Sequence, residues 1–263
     1  MNKQIAIIGC GNLGLSITQG LLQKIDGKQI TVTRHNIDAV KFLEKDGVRV
    51  TSSNCDAVAG ADVVLLAVKP YLVTDVLTEI SSKLTDKHIV VSLATGVALS
   101  DIESACPSTM EVIRVMPNIA AAVGESASCI SKGSSASSES LATVKQIFDL
   151  IGTSVVIDEN LMESATVLAG CGTAFVLRFI RAMVEAGVQI GFKPDVATLI
   201  ANQTVKGAAQ ILLCNGNHPE AELDKVTTPK GVTITALNEM ERNGFSSSVI
   251  QGMLKAYDKI VGK

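Results

Sequence analysis

The sequence predicts an α/β protein, in which a doubly wound domain over residues 1–158 precedes an all-α domain over residues 159–263. Short apolar runs rich in β-branched residues alternate with helical patterns in the first part. This alternation is typical of a parallel sheet covered by helices on both faces. A G-x-G-x-x-G motif follows the first of these runs. Strand patterns almost vanish in the second part, where helical periodicity takes over.

Each predicted strand is a mostly apolar run, and each predicted helix repeats apolar residues every three or four positions. The predicted strands are Ile5–Ile8, Ile30–Thr33, Val48–Thr51, Val63–Val68, His88–Leu93, Val112–Val115, Ser126–Ser131 and Ser154–Ile157. The helices predicted between them are Leu13–Lys24, Ile37–Lys45, Tyr71–Leu84, Ser100–Ala105 and Ser140–Leu150. The helices predicted in the second domain are Phe175–Ile190, Pro194–Cys214, Val232–Arg242 and Phe245–Ile260.

Several helices of the second domain lack a polar face, and Ala165–Phe179 is an example. A helix that is apolar all round must be buried on all sides. A domain of about 100 residues can bury such helices most readily against a second copy of itself. We therefore predict a homodimer that forms through this region.

The composition argues against several classes of protein. The chain has 263 residues, 47% of them hydrophobic, and a net charge of -3, so no nucleic-acid-binding surface is expected. Its six cysteines and three histidines lack metal-ligand spacing, and we predict no metal site. No secretory segment opens the chain, and no apolar run free of glycine and charge approaches the roughly 20 residues of a membrane span. We expect a cytoplasmic protein without a membrane partner.

The glycine motif predicts a dinucleotide site because it lies between a predicted strand and a predicted helix, as in a Rossmann domain. Gly9 permits the tight turn, Gly11 lets the backbone approach a pyrophosphate, and Gly14 lets the helix pack close to the sheet. The residues expected at the pyrophosphate are Gly9, Cys10, Gly11, Asn12, Leu13 and Gly14.

The end of the second strand bears on the choice between NADPH and NADH. An NAD site places an acidic residue there, whereas this chain has Arg34 and His35 and no acid before Asp38. Arg34 could pair with a 2′-phosphate, so NADPH is favoured and NADH stays open; alternatively, Arg34 is solvated or stacks on adenine. The end of the fourth strand is also expected at the cofactor, through Ala67, Val68, Lys69 and Pro70. Lys69 could instead be a solvated lysine.

Four ordered blocks resemble the pyrroline-5-carboxylate reductase family. They are Leu66–Pro70, Val91–Val97, Arg114–Asn118 and Val226–Thr233. The resemblance implies hydride transfer from NADPH or NADH to the C=N bond of 1-pyrroline-5-carboxylate, giving L-proline in the last step of proline biosynthesis. It also implies a helical dimerisation domain and a homodimer, which in the family often assembles further, commonly into a decamer. Further expected cofactor contacts are Asn54, Ala94, Met116 and Asn118.

The last block is expected to bind the substrate. Backbone N–H groups of Gly231, Val232 and Thr233, at the start of a predicted helix, would hold its carboxylate. By resemblance, the Thr233 hydroxyl would hydrogen-bond the ring nitrogen and act in catalysis; alternatively, it caps its own helix. Lys230 could attract the carboxylate or be solvated.

This chain departs from the family at two positions. The family usually has glycine at the position of Lys230 and proline at that of Thr173. We therefore expect that position 230 does not need a positive φ.

Three alternatives remain. One is a 3-hydroxyacid dehydrogenase, although Leu168–Arg178 lacks the lysine that such enzymes use as a general acid. Another is a reductase of a different cyclic imine, with a six-membered or otherwise substituted ring. The third is a dimer that senses NADPH without turnover.

Overall fold

The structure, a computed structural model, describes residues 3–262. The strands are β1 (Ile5–Ile8), β2 (Ile30–Thr33), β3 (Arg49–Thr51), β4 (Val63–Leu66), β5 (Ile89–Ser92), β6 (Glu111–Met116), β7 (Ser126–Lys132) and β8 (Gly152–Val156). The helices are α1 (Asn12–Leu22), α2 (Asn54–Val58), α3 (Val73–Ile80), α4 (Leu99–Ser104), α5 (Ser138–Asp149), α6 (Met162–Ala165), α7 (Gly172–Gln189), α8 (Pro194–Asn215), α9 (Pro219–Val226), α10 (Val232–Arg242) and α11 (Phe245–Val261).

The eight strands form one sheet in the order β3-β2-β1-β4-β5-β6-β7-β8. Neighbouring strands are parallel except for β6 and β7, which are antiparallel. The order reverses its direction between β1 and β4, so the carboxyl ends of β1 and β4 flank a crevice where ligands bind in doubly wound sheets. The predicted fold class, a Rossmann domain followed by helices, is confirmed.

Both faces of the sheet are buried under helices. Ile5 and Ile7 of β1 belong to one apolar cluster, and Ala6 and Ile8 belong to the cluster on the other face. Because successive side chains of a strand point to opposite faces, a strand covered on both sides is apolar at nearly every position. This packing explains why the strands were predicted as continuous apolar runs.

Contacts divide the chain into two compact units. One unit extends to Thr173 and includes the residues from Tyr257 onward, and the other comprises Ala174–Ala256. This division follows packing rather than function. The expected functional boundary between residues 158 and 159 therefore stays a prediction.

Some local elements differ from the expectation. The predicted helix Ile37–Lys45 is instead two 3₁₀ segments, Ile37–Ala39 and Lys41–Asp46. Three short helices, α2, α6 and α9, were not predicted. The helices α2 and α9 begin after Ser53 and His218, whose side chains accept hydrogen bonds from backbone N–H groups of the first turn. Helices this short offer too few turns for their periodicity to be recognised.

A buried ion-pair network fixes the segment that leads out of the sheet. Arg114 of β6 is 1% exposed. Its Nη2 lies 2.9 Å from Oε1 of Glu163, and its Nη1 lies 3.6 Å from Oε1 of Glu159. Glu159 also accepts a hydrogen bond from the backbone N–H of Leu99. Because an unpaired guanidinium in the interior is costly, the two carboxylates hold the start of the helical region to the sheet.

The helices of the second unit bury little within a single chain. In α8 the buried residues are Ala197 and Ala201, and α7, α9, α10 and α11, all within residues 3–262, contain no buried residue. Gly187 allows a close approach here, because a Cβ added to it would lie 3.1 Å from Cβ of Ala197. The uncovered apolar surface is the one for which the sequence predicts a partner copy.

Helical structure is continuous over Glu159–Gln189 and is long and apolar enough to cross a membrane, by length and composition alone. A membrane span is expected from the sequence where an apolar run is free of glycine and charge. This stretch contains Gly170, Gly172 and Arg178, and so it was not found.

Candidate functional site

In the glycine loop after β1, one glycine has free space where a Cβ would be and two do not. A Cβ added to Gly9, whose φ is 94°, would lie 2.7 Å from Cγ1 of Val68. At Gly14 the added Cβ would lie 2.5 Å from the carbonyl oxygen of Gly9. At Gly11 it would meet no atom within 4 Å. Gly9 and Gly14 are therefore required by packing, whereas Gly11 leaves room for a ligand at the backbone.

Side chains behind the loop hold it in place. The N–H of Gly9 donates to Oγ1 of Thr33 at 3.1 Å, and the Thr33 hydroxyl donates to Oδ1 of Asn54 at 2.7 Å. Nδ2 of Asn54 donates to Oε2 of Glu79 at 2.8 Å. Asn54 thus supports the loop from behind, a role that sequence reasoning missed. Its expected contact with the cofactor stays a prediction.

A cavity of about 620 Å³ opens above this loop, at the carboxyl ends of β1, β2, β4 and β5. Its volume is in the usual range for cofactor sites. The expected cofactor residues that line it are Gly9, Cys10, Gly11, Asn12, Leu13, Arg34, His35, Ala67, Val68, Lys69, Pro70 and Ala94. The lining residues that were not predicted are Leu72, Leu93, Thr95 and Ile119. They adjoin predicted positions or follow strand ends, which is the signal that could have found them.

The charged side chains of this cavity are cationic. Nη1 of Arg34 donates to the carbonyl oxygen of Cys10 at 2.9 Å, which holds the guanidinium across the glycine loop. Lys69 is exposed just beyond the end of β4. Within residues 3–262, the lining includes no carboxylate. Two cations and the open backbone at Gly11 fit the phosphates of a dinucleotide.

Cys10 lies in the loop but is buried. Burial raises the pKa of its thiol above the ordinary value, and the opposing effects of Thr18 and Arg34 are smaller. Since the thiolate is the reactive form, the thiol stays protonated at neutral pH and serves as a small packing group.

A larger cavity of about 770 Å³ lies between α4, β7 and the end of β8. Its charged lining residues are Glu103, Lys132, Asp158 and Glu159. Three acids and one lysine are poorly suited to a dinucleotide, and this cavity lies away from the glycine loop. We therefore place the candidate cofactor site at the smaller cavity.

Met116 and Asn118 do not line the cofactor cavity. Both are buried, and they lie at and just beyond the end of β6. Nδ2 of Asn118 donates to the carbonyl oxygen of Ala169 at 3.1 Å. Whether they also contact the cofactor stays a prediction.

The expected substrate loop forms a tight turn before α10. The N–H of Gly231 donates to the carbonyl oxygen of Thr228 at 2.9 Å. A Cβ on Gly231 would lie 2.5 Å from Oγ1 of Thr228, so this position needs glycine. Gly231 caps α10 without a side-chain hydrogen bond, and the exposed Thr233 makes none within residues 3–262. The Thr233 hydroxyl therefore does not cap its own helix.

The backbone conformation of Lys230 differs from the expectation. Its φ is 61°, and within residues 3–262 it is the only residue other than glycine with a positive φ. Pro229 and Lys230 occupy the two central positions of the turn, and a turn with proline first commonly requires a positive φ at the next residue. The expectation that position 230 does not need a positive φ is therefore wrong.

The chain matches two protein families. Residues 159–262 match the family described as pyrroline-5-carboxylate reductase dimerisation. Residues 4–96 match the family described as NADP oxidoreductase, coenzyme F420-dependent. The helical region is thus a dimerisation domain, and the glycine loop lies within the match to an NADP-dependent family.

Two relatives from Dictyostelium discoideum are similar over nearly the whole chain. Pyrroline-5-carboxylate reductase 1 is 40% identical over 97% of this chain and 49% of its own length, so the chain spans about half of that relative. Pyrroline-5-carboxylate reductase 2 is 38% identical over 98% of this chain and 92% of its own length.

A solved structure supports the same grouping. The crystal structure of Plasmodium falciparum pyrroline carboxylate reductase with NADP bound is 25% identical and superposes with a TM-score of 0.89. The match covers 98% of this chain and 97% of that one. The two chains therefore share the same fold.

Proposed function

Because this chain belongs to the pyrroline-5-carboxylate reductase family, we propose that it transfers a hydride from NADPH to the C=N bond of 1-pyrroline-5-carboxylate. The product is L-proline, and the reaction is the last step of proline biosynthesis. The observation that carries this proposal is the cationic cavity over the open glycine loop.

Arg34 carries the preference for NADPH over NADH. Its guanidinium is held at the cavity by the carbonyl oxygen of Cys10, where it can pair with a 2′-phosphate. A carboxylate at this strand end would instead accept a hydrogen bond from the free 2′-hydroxyl. NADH remains a second possible donor, used less efficiently.

The protein groups position the reactants. When bound, the nicotinamide supplies the hydride, so the chain needs no nucleophile or pair of acids. The N–H groups of Val232 and Thr233, at the start of α10, hold the substrate carboxylate. The expected contribution of the Gly231 N–H is corrected, because this N–H already donates to the carbonyl oxygen of Thr228. The Thr233 hydroxyl hydrogen-bonds the ring nitrogen and helps to protonate it. Lys230 attracts the carboxylate through its charge.

The assembly follows from the dimerisation domain. Two chains pair through residues 159–262, which match the dimerisation family. We propose further that the pairs assemble into a decamer in the cytoplasm, as the resemblance to the family implies. We place the functional boundary between a dinucleotide-binding domain, 1–158, and a dimerisation and substrate domain, 159–263. No nucleic acid or membrane takes part.

The test is NADPH oxidation measured at 340 nm with 1-pyrroline-5-carboxylate. We expect fast turnover, slower turnover with NADH, and little turnover with a six-membered imine. Faster turnover of the six-membered ring would indicate a different imine substrate. NADPH binding without turnover of either imine would indicate a sensor and refute the proposed activity.

A further inference from the structure

A π-helical turn interrupts the long helix after α6. It spans Thr166–Cys171 and continues directly into α7. Such turns are rare and frequently occur at functional sites, because the extra residue leaves backbone groups out of the regular hydrogen-bonding pattern. A Cβ added to Gly172, which follows the turn, would meet no atom within 4 Å. Open space therefore lies beside the backbone directly after the turn.

The side chain of Asn118 connects this turn to the sheet. Its Nδ2 donates to the carbonyl oxygen of Ala169, inside the π turn, at 3.1 Å. Its Oδ1 accepts from the N–H of Ala120 at 3.0 Å, and its own N–H donates to Oγ of Ser126 at 3.1 Å. The residue is 9% exposed. Both polar atoms of the side chain are thus engaged within the protein.

The same segment reaches the cofactor cavity. Ile119, the residue after Asn118, lines that cavity. On the other side, Sδ of Met116 lies 3.7 Å from the place of a Cβ on Gly170 of the π turn. The stretch Met116–Ile119 therefore contacts the π turn at Met116 and lines the cavity at Ile119. The side chain of Asn118 joins this stretch to the turn by its hydrogen bond to Ala169.

We propose that Asn118 is a positioning residue, which fixes the π turn Thr166–Cys171 against the end of β6 and so sets the cavity wall where the hydride is transferred. This inference rests on the proposed function and replaces the expected direct contact of Asn118 with the cofactor. Hydride transfer requires the reacting atoms to be held in a narrow range of geometry, and a displacement of about 1 Å can cost 100-fold in rate.

The chemistry of the side chain suggests the variants. Aspartate keeps an oxygen for the N–H of Ala120 but loses the donor to Ala169, and it places a carboxylate against that carbonyl. Asn118→Asp therefore removes the hydrogen bond to the carbonyl oxygen of Ala169 and retains the hydrogen bond from the N–H of Ala120. Asn118→Ser is a second variant without a buried charge. Ser137→Ala is the control, because it removes a cap from α5, where Ser137 accepts from the N–H of Ser140 at 3.1 Å.

The experiment compares kcat, KM and the Kd for NADPH with hydrogen–deuterium exchange of peptides covering residues 162–173. For both Asn118 variants we expect kcat to fall about 10- to 100-fold, the Kd to stay within about twofold, and exchange in the π turn to rise. Ser137→Ala should change neither kcat nor this exchange.

A Kd for NADPH that rises with unchanged exchange would overturn the inference, because Asn118 would then be a direct cofactor contact. Unchanged kcat despite faster exchange would also overturn it and leave Asn118 a purely structural role. If the wild type reduced no cyclic imine, the proposed function would fail, while the exchange measurement would still decide whether Asn118 fixes the turn.

Discussion

The sheet and the helical region bury their apolar residues in different ways. The sheet buries both of its faces within one chain, with nearly every residue of β1, β4, β5 and β6 inaccessible to solvent. The helices α7, α10 and α11 contain no buried residue. Most of the exposed large apolar side chains lie in residues 159–262.

This difference shows where the stability of each region comes from. Burial of apolar area is the main force that offsets the loss of conformational freedom on folding. The sheet obtains that burial from its own helices. The helical region obtains it from the second chain, so its stability depends on protein concentration.

The largest expected effect is a loss of dimerisation when charges are placed on α8. Leu199 and Leu213 of α8 are 71% and 77% exposed in the single chain, and lie four turns apart on one side of the helix. The double substitution Leu199→Asp/Leu213→Asp should raise the dimer dissociation constant at least about 1000-fold, about 4 kcal/mol, because two unpaired charges would be buried. Sedimentation velocity over a range of concentrations measures it.

Tyr71→Asp is the control for this variant. Tyr71 is 79% exposed but lies in the sheet region. Its substitution should leave the dimer intact. If the α8 variant remained a dimer at micromolar concentration, α8 would not contribute to the interface.

An intermediate effect separates the tasks of the two regions. Thr233→Ala should lower kcat about 100-fold with little change in the Kd for NADPH, since a group that helps protonate the substrate is lost.

Arg34→Ala should raise the Kd for NADPH about tenfold with little change for NADH, because the partner of the 2′-phosphate is lost. Fluorescence titration and steady-state kinetics measure both. Equal losses for the two cofactors in Arg34→Ala would contradict the proposed role of Arg34.

The smallest expected effect concerns Lys230, whose φ is positive. Lys230→Gly should raise the free energy of unfolding by up to about 1 kcal/mol, since glycine adopts a positive φ without strain. The same variant should raise KM for the substrate. Urea unfolding at one fixed protein concentration measures the stability, with Lys87→Gly, a turn lysine without positive φ, as the control. Unchanged KM would show that the charge of Lys230 does not attract the substrate.

Much of the fold could be predicted because its signals are local. The strands β1 and β2 were predicted with their observed bounds, since both are short runs dominated by β-branched residues. The segment Ile37–Lys45 was predicted as a helix, yet apolar periodicity over so few residues does not distinguish it from 3₁₀ turns.

The site could be predicted where backbone geometry dictates residue type. The glycines at positions 9, 11 and 14 lie between a predicted strand and a predicted helix, and this context makes their spacing informative. The roles of Asn54 and Asn118 could not be predicted, because each depends on hydrogen bonds to residues distant in sequence, Thr33 and Ala169. The positive φ of Lys230 was missed because residue type was taken to report the backbone conformation.

The order of the two regions along the chain has a consequence for synthesis. All eight strands of the sheet lie before residue 157, and the helices with uncovered apolar surface follow them. A ribosome therefore releases the whole sheet before it releases the helices that need a partner, and domains generally fold in the order of their synthesis. Until two finished chains meet, the apolar helices stay open to chaperones and proteases, so the cellular supply of enzyme depends on encounter between newly made copies.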